Sequence, residues 1–212
     1  MNKHDSSLFE LEFSSVSRSF GERRVLEAVT ATARTGQVMV ISGPNGSGKS
    51  TLVKIAARLM RPSSGKAACR LGGVNIDAGA WRRCIGLVSP DLTLYDELSA
   101  EENLMFFSQV RGHGASREAI SGILTRFQLD GRGADLVGSY SSGMKQRLKY
   151  AYALLHDPPL LLLDEPTANL DARGVALIHS VIESLRPSKC IAIATNEPEE
   201  VQLGDLVISL GS

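Results

Sequence analysis

A chain of 212 residues with 23 basic and 23 acidic side chains has no net formal charge, so it lacks the broad positive field that nucleic-acid binding draws on. Its 43% hydrophobic content excludes a disordered chain, and no apolar run approaches the ~20 residues that cross a bilayer as a helix. Residues Met1 to Glu12 open polar and then alternate, unlike a secretory signal, and Cys69, Cys84 and Cys190 have no C-x-x-C spacing, so the expectation is a soluble cytoplasmic domain with free thiols.

Leu8 to Phe13 alternates apolar and acidic residues, the period of a half-buried strand. Val25 to Ala33 also reads as extended, until Gly36 breaks it. Val38-Met39-Val40-Ile41 is continuously apolar, the mark of a strand covered on both faces. It feeds a glycine-rich turn, Gly43 to Gly48, and a helix predicted from Lys49 to about Met60, ahead of Arg61-Pro62. Asp91 to Tyr150 has a different texture: helical spacing at Glu101–Val110 and Ser116–Phe127, then a glycine-rich stretch from Gly131 to Gly143. Two more buried strands follow, Leu160–Leu163 closing on Asp164 and Ile191–Ala194 closing on Thr195, with a helix at Ala172–Leu185 between them. Leu206 to Leu210 is the last strand.

Gly43-Pro44-Asn45-Gly46-Ser47-Gly48-Lys49-Ser50 fits G-x-x-x-x-G-K-[ST] between a buried strand and a helix, with Thr51 in the first helical turn. Glycines let backbone N–H groups converge on phosphate oxygens, and the helix N-terminus adds its partial positive charge. Lys49 is placed to reach the β- and γ-phosphates, and Ser50 to offer its hydroxyl to Mg²⁺. Phosphoryl transfer also needs an acid for the metal and a group to orient water. Asp164, at the C-terminal end of its strand, suits the first role, and Glu165 the second. The fold class is α/β: a P-loop NTPase core with a mainly parallel sheet, an N-terminal antiparallel β region and an inserted helical subdomain. A single domain over 1–212 would hold its core in about 1–90 and 151–212, and its helical subdomain in about 91–150.

With these residues in place, the chain resembles the nucleotide-binding subunit of ABC transporters from about Phe9 to Leu210. The most specific element is Tyr140-Ser141-Ser142-Gly143-Met144-Lys145-Gln146-Arg147, similar to the family's L-S-G-G-Q signature and set at the family's distance ahead of Leu160–Thr167. The resemblance makes Ser141, Ser142, Gly143, Met144, Lys145 and Gln146 a surface for the γ-phosphate held by a second subunit. Asp171 then falls in the D-loop and Phe20 where an aromatic stacks on adenine. It implies ATP and Mg²⁺ as ligands, two cassettes as homodimer or heterodimer, and a separate integral-membrane permease that holds the chain on the cytoplasmic face.

Two positions depart from the family pattern. Pro90 stands where a glutamine contacts Mg²⁺ or the lytic water, with Asp91 beside it as a substitute oxygen donor to the metal. Asn196 stands where a histidine contacts the γ-phosphate; its amide can donate but cannot become cationic. A slow ATPase follows, with Glu165 and Asn196 as its catalytic pair, serving an exporter. The alternative is a soluble ABC-type switch or assembly ATPase. The compact length, the signature and the Leu94–Leu104 stretch resemble the haem-exporter ATPases of cytochrome c maturation, while His4, His113, His156 and His179 lack ligand spacing. Met105-Phe106-Phe107 reads first as helical core and second as the lining of a permease groove.

Overall fold

A computed structural model describes residues 8–112 and 114–211. Two sheets organise the chain. The first is antiparallel, in the order β2-β1-β4-β5, from β1 (Phe9–Phe20), β2 (Arg23–Arg34), β4 (Ser64–Leu71) and β5 (Val74–Asn75). The second is parallel, in the order β6-β7-β8-β3-β9, from β3 (Val38–Ser42), β6 (Ile85–Val88), β7 (Leu160–Asp164), β8 (Cys190–Thr195) and β9 (Leu206–Ser209). The helices are α1 (Lys49–Ala56), α2 (Ala78–Arg83), α3 (Ala100–Val110), α4 (Arg117–Arg126), α5 (Ser142–Leu154), α6 (Ala172–Leu185) and α7 (Pro198–Val201).

The continuous apolar runs of β3, β7 and β8 are explained by burial on both faces. Val38, Val40, Leu161, Leu163, Ile191 and Ile193 face one core, shared with α3, α4, α5 and α6. Their alternates, among them Met39, Ile41, Leu160 and Leu162, face a second core against α1 and the antiparallel sheet. Because all five strands of this sheet run parallel, the segments after Ser42, Val88, Asp164 and Thr195 emerge at one edge. Ligands of open α/β sheets bind at that edge.

Several elements differ from the sequence reading. β1 runs on to Phe20 through irregular pairing with β2 around Ser14 and Ser15, where two serines interrupt the alternation; Ser15 has φ 49°. In β4 and β5 only Cys69 is buried and most apolar side chains are small, so they carry little hydrophobic signal. α1 ends four residues before Met60: Arg58 turns left-handed (φ 57°), and the Leu59 and Met60 amides both donate to the Lys54 carbonyl. The short α2 is capped by Asp77, whose Oδ1 accepts from the amides of Gly79 and Ala80 at 2.7 and 2.8 Å. Buried Trp81 then donates its indole N–H to the Ala56 carbonyl at 3.0 Å, serving the open end of α1.

Between Asp91 and Tyr150 the helices stand close to their expected spans. A capping box starts α3, with Ser99 Oγ accepting from the Glu102 amide and the Glu102 carboxylate accepting from the Ser99 amide. Fully buried Asn103 fixes the approach to that helix: its Oδ1 accepts from the Tyr95 amide, and its Nδ2 donates to the Tyr95 and Ser99 carbonyls, each at 2.9 Å. The glycine-rich stretch holds one 3₁₀ turn, Val137–Ser139, ahead of α5. None of the described helices is long and apolar enough to cross a membrane.

Candidate functional site

The turn after β3 needs its glycines for space as well as for conformation. Gly48 precedes α1 with φ 103°, and a Cβ there would lie 2.8 Å from Leu26 Cδ2. At Gly43 a Cβ would run into the carbonyl oxygen of Leu210. The turn folds back on its own lysine: Lys49 Nζ donates to the carbonyls of Gly43 and Pro44 at 2.7 and 3.1 Å. Lys49 is only 6% exposed, and among the described residues no carboxylate lies within ion-pair distance of it. A buried ammonium held by neutral carbonyls retains charge for an anion. The turn therefore fits a phosphate on the chemistry of its own residues.

Ser50 Oγ donates to Asp164 Oδ1 at 3.0 Å, joining the start of α1 to the end of β7. Burial pushes the Asp164 carboxyl above its usual range; the Ser50 hydrogen bond opposes that shift and the neighbouring charge of Glu165 adds to it. A hydroxyl and a carboxylate side by side are the hard oxygen donors that Mg²⁺ takes together with phosphate. Ser50 and Asp164 would hold that ion, which when bound neutralises charge on the phosphates.

Glu165 stands between the two halves of the site. It has φ 51°, and its amide donates to the Ala194 carbonyl at 2.9 Å, tying the ends of β7 and β8. With Asn45 it lines both of two adjoining cavities. The cavity of about 460 Å³ holds Gly46, Gly48, Lys49, Ser50 and Thr51, with Phe20 and Arg23 at its wall. The neighbouring cavity, about 530 Å³, holds Thr167, Asn169, His179, Asn196 and Glu200. Asn196 is exposed just past β8, and Phe20 is 46% exposed with the Arg18 guanidinium 4.6 Å from its ring centre.

Other expected residues stand apart. Ser141 caps α5, its Oγ accepting from the Met144 amide at 3.2 Å, and neither it nor Ser142, Gly143, Met144 or Lys145 lines the two cavities. Gly143 packs toward the Asn169 carbonyl, where a Cβ would come within 3.4 Å, and Lys145 pairs with Asp96 at 2.7 Å. Gln146 does not face outward at all: it is 6% exposed and donates to the Pro166 carbonyl of its own chain at 3.1 Å. Asp171 caps α6 by accepting from the Gly174 amide at 2.8 Å.

Asp91 is paired with Lys54 of α1 at 2.6 Å, and that ion pair holds its carboxyl below the usual range. The carbonyls of Ser89 and Pro90 accept from Lys149 of α5 at 3.1 and 3.2 Å. Phe107 packs against the core and joins Tyr95, Phe106 and Tyr152 in an aromatic cluster, while Phe106 is exposed, so the Met105–Phe107 stretch serves core and surface together. His156 bonds with Arg111, 2.9 Å between nitrogens, whereas His4 and His113 lie outside the described residues. Sequence reasoning gave no site role to Thr167, His179 and Glu200; Thr167 closes the Leu160–Thr167 run, whereas His179 and Glu200 are signalled only by position, along α6 and shortly after Asn196.

The profile of the family described as ABC transporter matches residues 26–168, two-thirds of the chain. The chain belongs to the ABC transporter family. Its cassette fold superposes on a dimeric bacterial ABC transporter cassette with a TM-score of 0.83 at 27% identity, over 94% of each chain. The same cassette in a post-hydrolysis state, bound to ADP and Pi, gives a TM-score of 0.82. Among sequences, the cassette is 34% identical to a daunorubicin resistance ATP-binding protein of Streptomyces coeruleorubidus, over 90% of this chain and 61% of that protein. It is likewise 34% identical to a Nod factor export ATP-binding protein of Rhizobium etli, over 91% of this chain and 62% of that protein. The chain thus spans just over three-fifths of the length of the curated relatives it matches. ABC cassettes as a class bind ATP with Mg²⁺ and hydrolyse it.

Proposed function

We propose that this chain is the ATP-hydrolysing subunit of an exporter, peripheral on the cytoplasmic face of the membrane through a separate permease. The observation that carries the reading is the place of Glu165, on the wall between the phosphate turn and the cavity of Asn196. The loop backbone and Lys49 would bind the phosphates, Phe20 the base, and Ser50 with Asp164 the Mg²⁺. As water oxygen bonds to the γ-phosphorus, the bond to the bridging oxygen breaks and ADP leaves with that electron pair. Glu165 accepts the water proton, and the Asn196 amide orients the γ-phosphate.

The exposed Ser141 end of α5 supports a two-cassette arrangement, since it is free to meet ATP held by a second chain. The segments about 1–90 and 151–212 act as the core, and about 91–150 as the helical arm that carries this surface. The export reading rests on relatives named for daunorubicin resistance and Nod factor export; the haem reading rests on the compact length, the signature and the Leu94–Leu104 stretch. The test is steady-state ATP hydrolysis by the purified chain together with the membrane protein that copurifies with it. Turnover well above that of Glu165→Gln is expected, and equal rates would sink the proposal. Copurification with soluble proteins only would instead favour an assembly ATPase.

A further inference from the structure

Glu165 sits in the left-handed region, where a residue with a side chain is held only by its surroundings. Besides its own amide bond to Ala194, the loop that follows it is held by two elements distant in sequence. From α5, Gln146 Nε2 and the Tyr150 hydroxyl both donate to the Pro166 carbonyl, at 3.1 and 3.0 Å, away from solvent. From α7, Glu200 Oε1 accepts the Thr167 hydroxyl at 2.5 Å. Glu200 is 1% exposed and Tyr150 is fully buried, so both arms reach the loop from the interior.

A buried carboxylate contributes little to stability unless its oxygens are well served. Glu200 serves one oxygen with Thr167 and leaves Oε2 without a partner among the described residues, as His179 leaves Nε2. Both residues line the cavity that Glu165 and Asn196 share. The chain of buried hydrogen bonds therefore joins the helix that begins at the signature, the loop that carries Glu165 and the helix that follows Asn196.

We propose that Gln146, Thr167 and Glu200 are positioning residues for hydrolysis, clamping the 165–167 loop from both sides and so setting where the Glu165 carboxylate meets water. None of them touches nucleotide in this scheme. The inference rests on the reading of Glu165 as the group that accepts the water proton. It also gives Gln146 a role within its own chain, distinct from contact with a partner's ATP.

The experiment compares kcat, KM and equilibrium MgATP affinity for the full chain and variants that change one hydrogen bond each. Thr167→Val keeps the shape and loses the hydroxyl, Thr167→Ser keeps the hydroxyl, and Gln146→Glu removes the donated N–H. Expected is a fall in kcat of roughly ten- to a hundredfold for Thr167→Val and Gln146→Glu, the scale of a displaced catalytic group, with KM and affinity within about twofold. Thr167→Ser should stay within about threefold of wild type in kcat, and Thr167→Val should cost nothing further when Glu165 is already Gln. If Thr167→Val does not fold, Glu200→Met, which keeps the volume and removes the acceptor, replaces it in the same comparison. Wild-type kcat in Thr167→Val, a change confined to KM, or an undiminished loss on the Glu165→Gln background overturns the positioning role alone. A wild type no faster than Glu165→Gln overturns the proposed function, and the positioning role with it.

Discussion

On one side of Glu165 the cavity wall is Lys49, Ser50 and the turn backbone, with Arg23 nearby; on the other it is Asn196, His179, Glu197, Glu199 and Glu200. The first wall offers cations and N–H donors, the second mainly carboxylates and neutral amides. A polyphosphate is drawn to the first and repelled by the second, so its terminal phosphate should stop at the boundary that Glu165 marks. The G-x-x-x-x-G-K-[ST] run lies on the first wall, and Asn196 on the second. Binding and turnover should therefore be separable by mutation.

The largest separation is expected from Glu165→Gln, which should lower kcat by about a hundredfold or more while ATP affinity holds, read by steady-state turnover beside equilibrium titration. Equal losses in both would erase the distinction between the two walls. Lys49→Ala should do the converse, weakening MgATP binding by roughly thirtyfold, the scale of a lost charge-assisted hydrogen bond, in a direct nucleotide titration. Introducing an imidazole with Asn196→His should raise kcat about tenfold without tightening ATP, and an unchanged rate would mean that the asparagine amide already suffices.

The smallest effect is expected at Asp91→Asn. Its pairing with Lys54 is largely exposed, 71% on the Asp91 side, so the loss of stability in a denaturant melt should stay under ~1 kcal/mol. The Mg²⁺ dependence of hydrolysis should not move. A tenfold rise in the Mg²⁺ needed would instead make Asp91 a metal ligand, and would extend the first wall to the loop after β6.

Much of this was legible before any fold was known. Gly43–Ser50, Asp164 and Glu165 announce their chemistry because the phosphate turn is built from consecutive residues, and because β3 and β7 are buried on both faces and so continuously apolar. The strands β4 and β5 were not legible, since the pairing of β4 with β1 and of β5 with β4 is made by backbone groups that leave little pattern in side chains. Nor was the true partner of Gln146, which a motif alone turns toward a second chain and burial turns toward Pro166.

The local sequence was enough for the glycine turn and the family, because each depends on residue types in short, ordered runs. Which wall each cavity received was settled by packing. Thr167 meets Glu200 across 33 positions, Ser50 meets Asp164 across 114, and Lys54 reaches Asp91 from another element. Contacts at such separations exist only once β3, β7 and β8 lie side by side and bring their C-terminal ends to one edge.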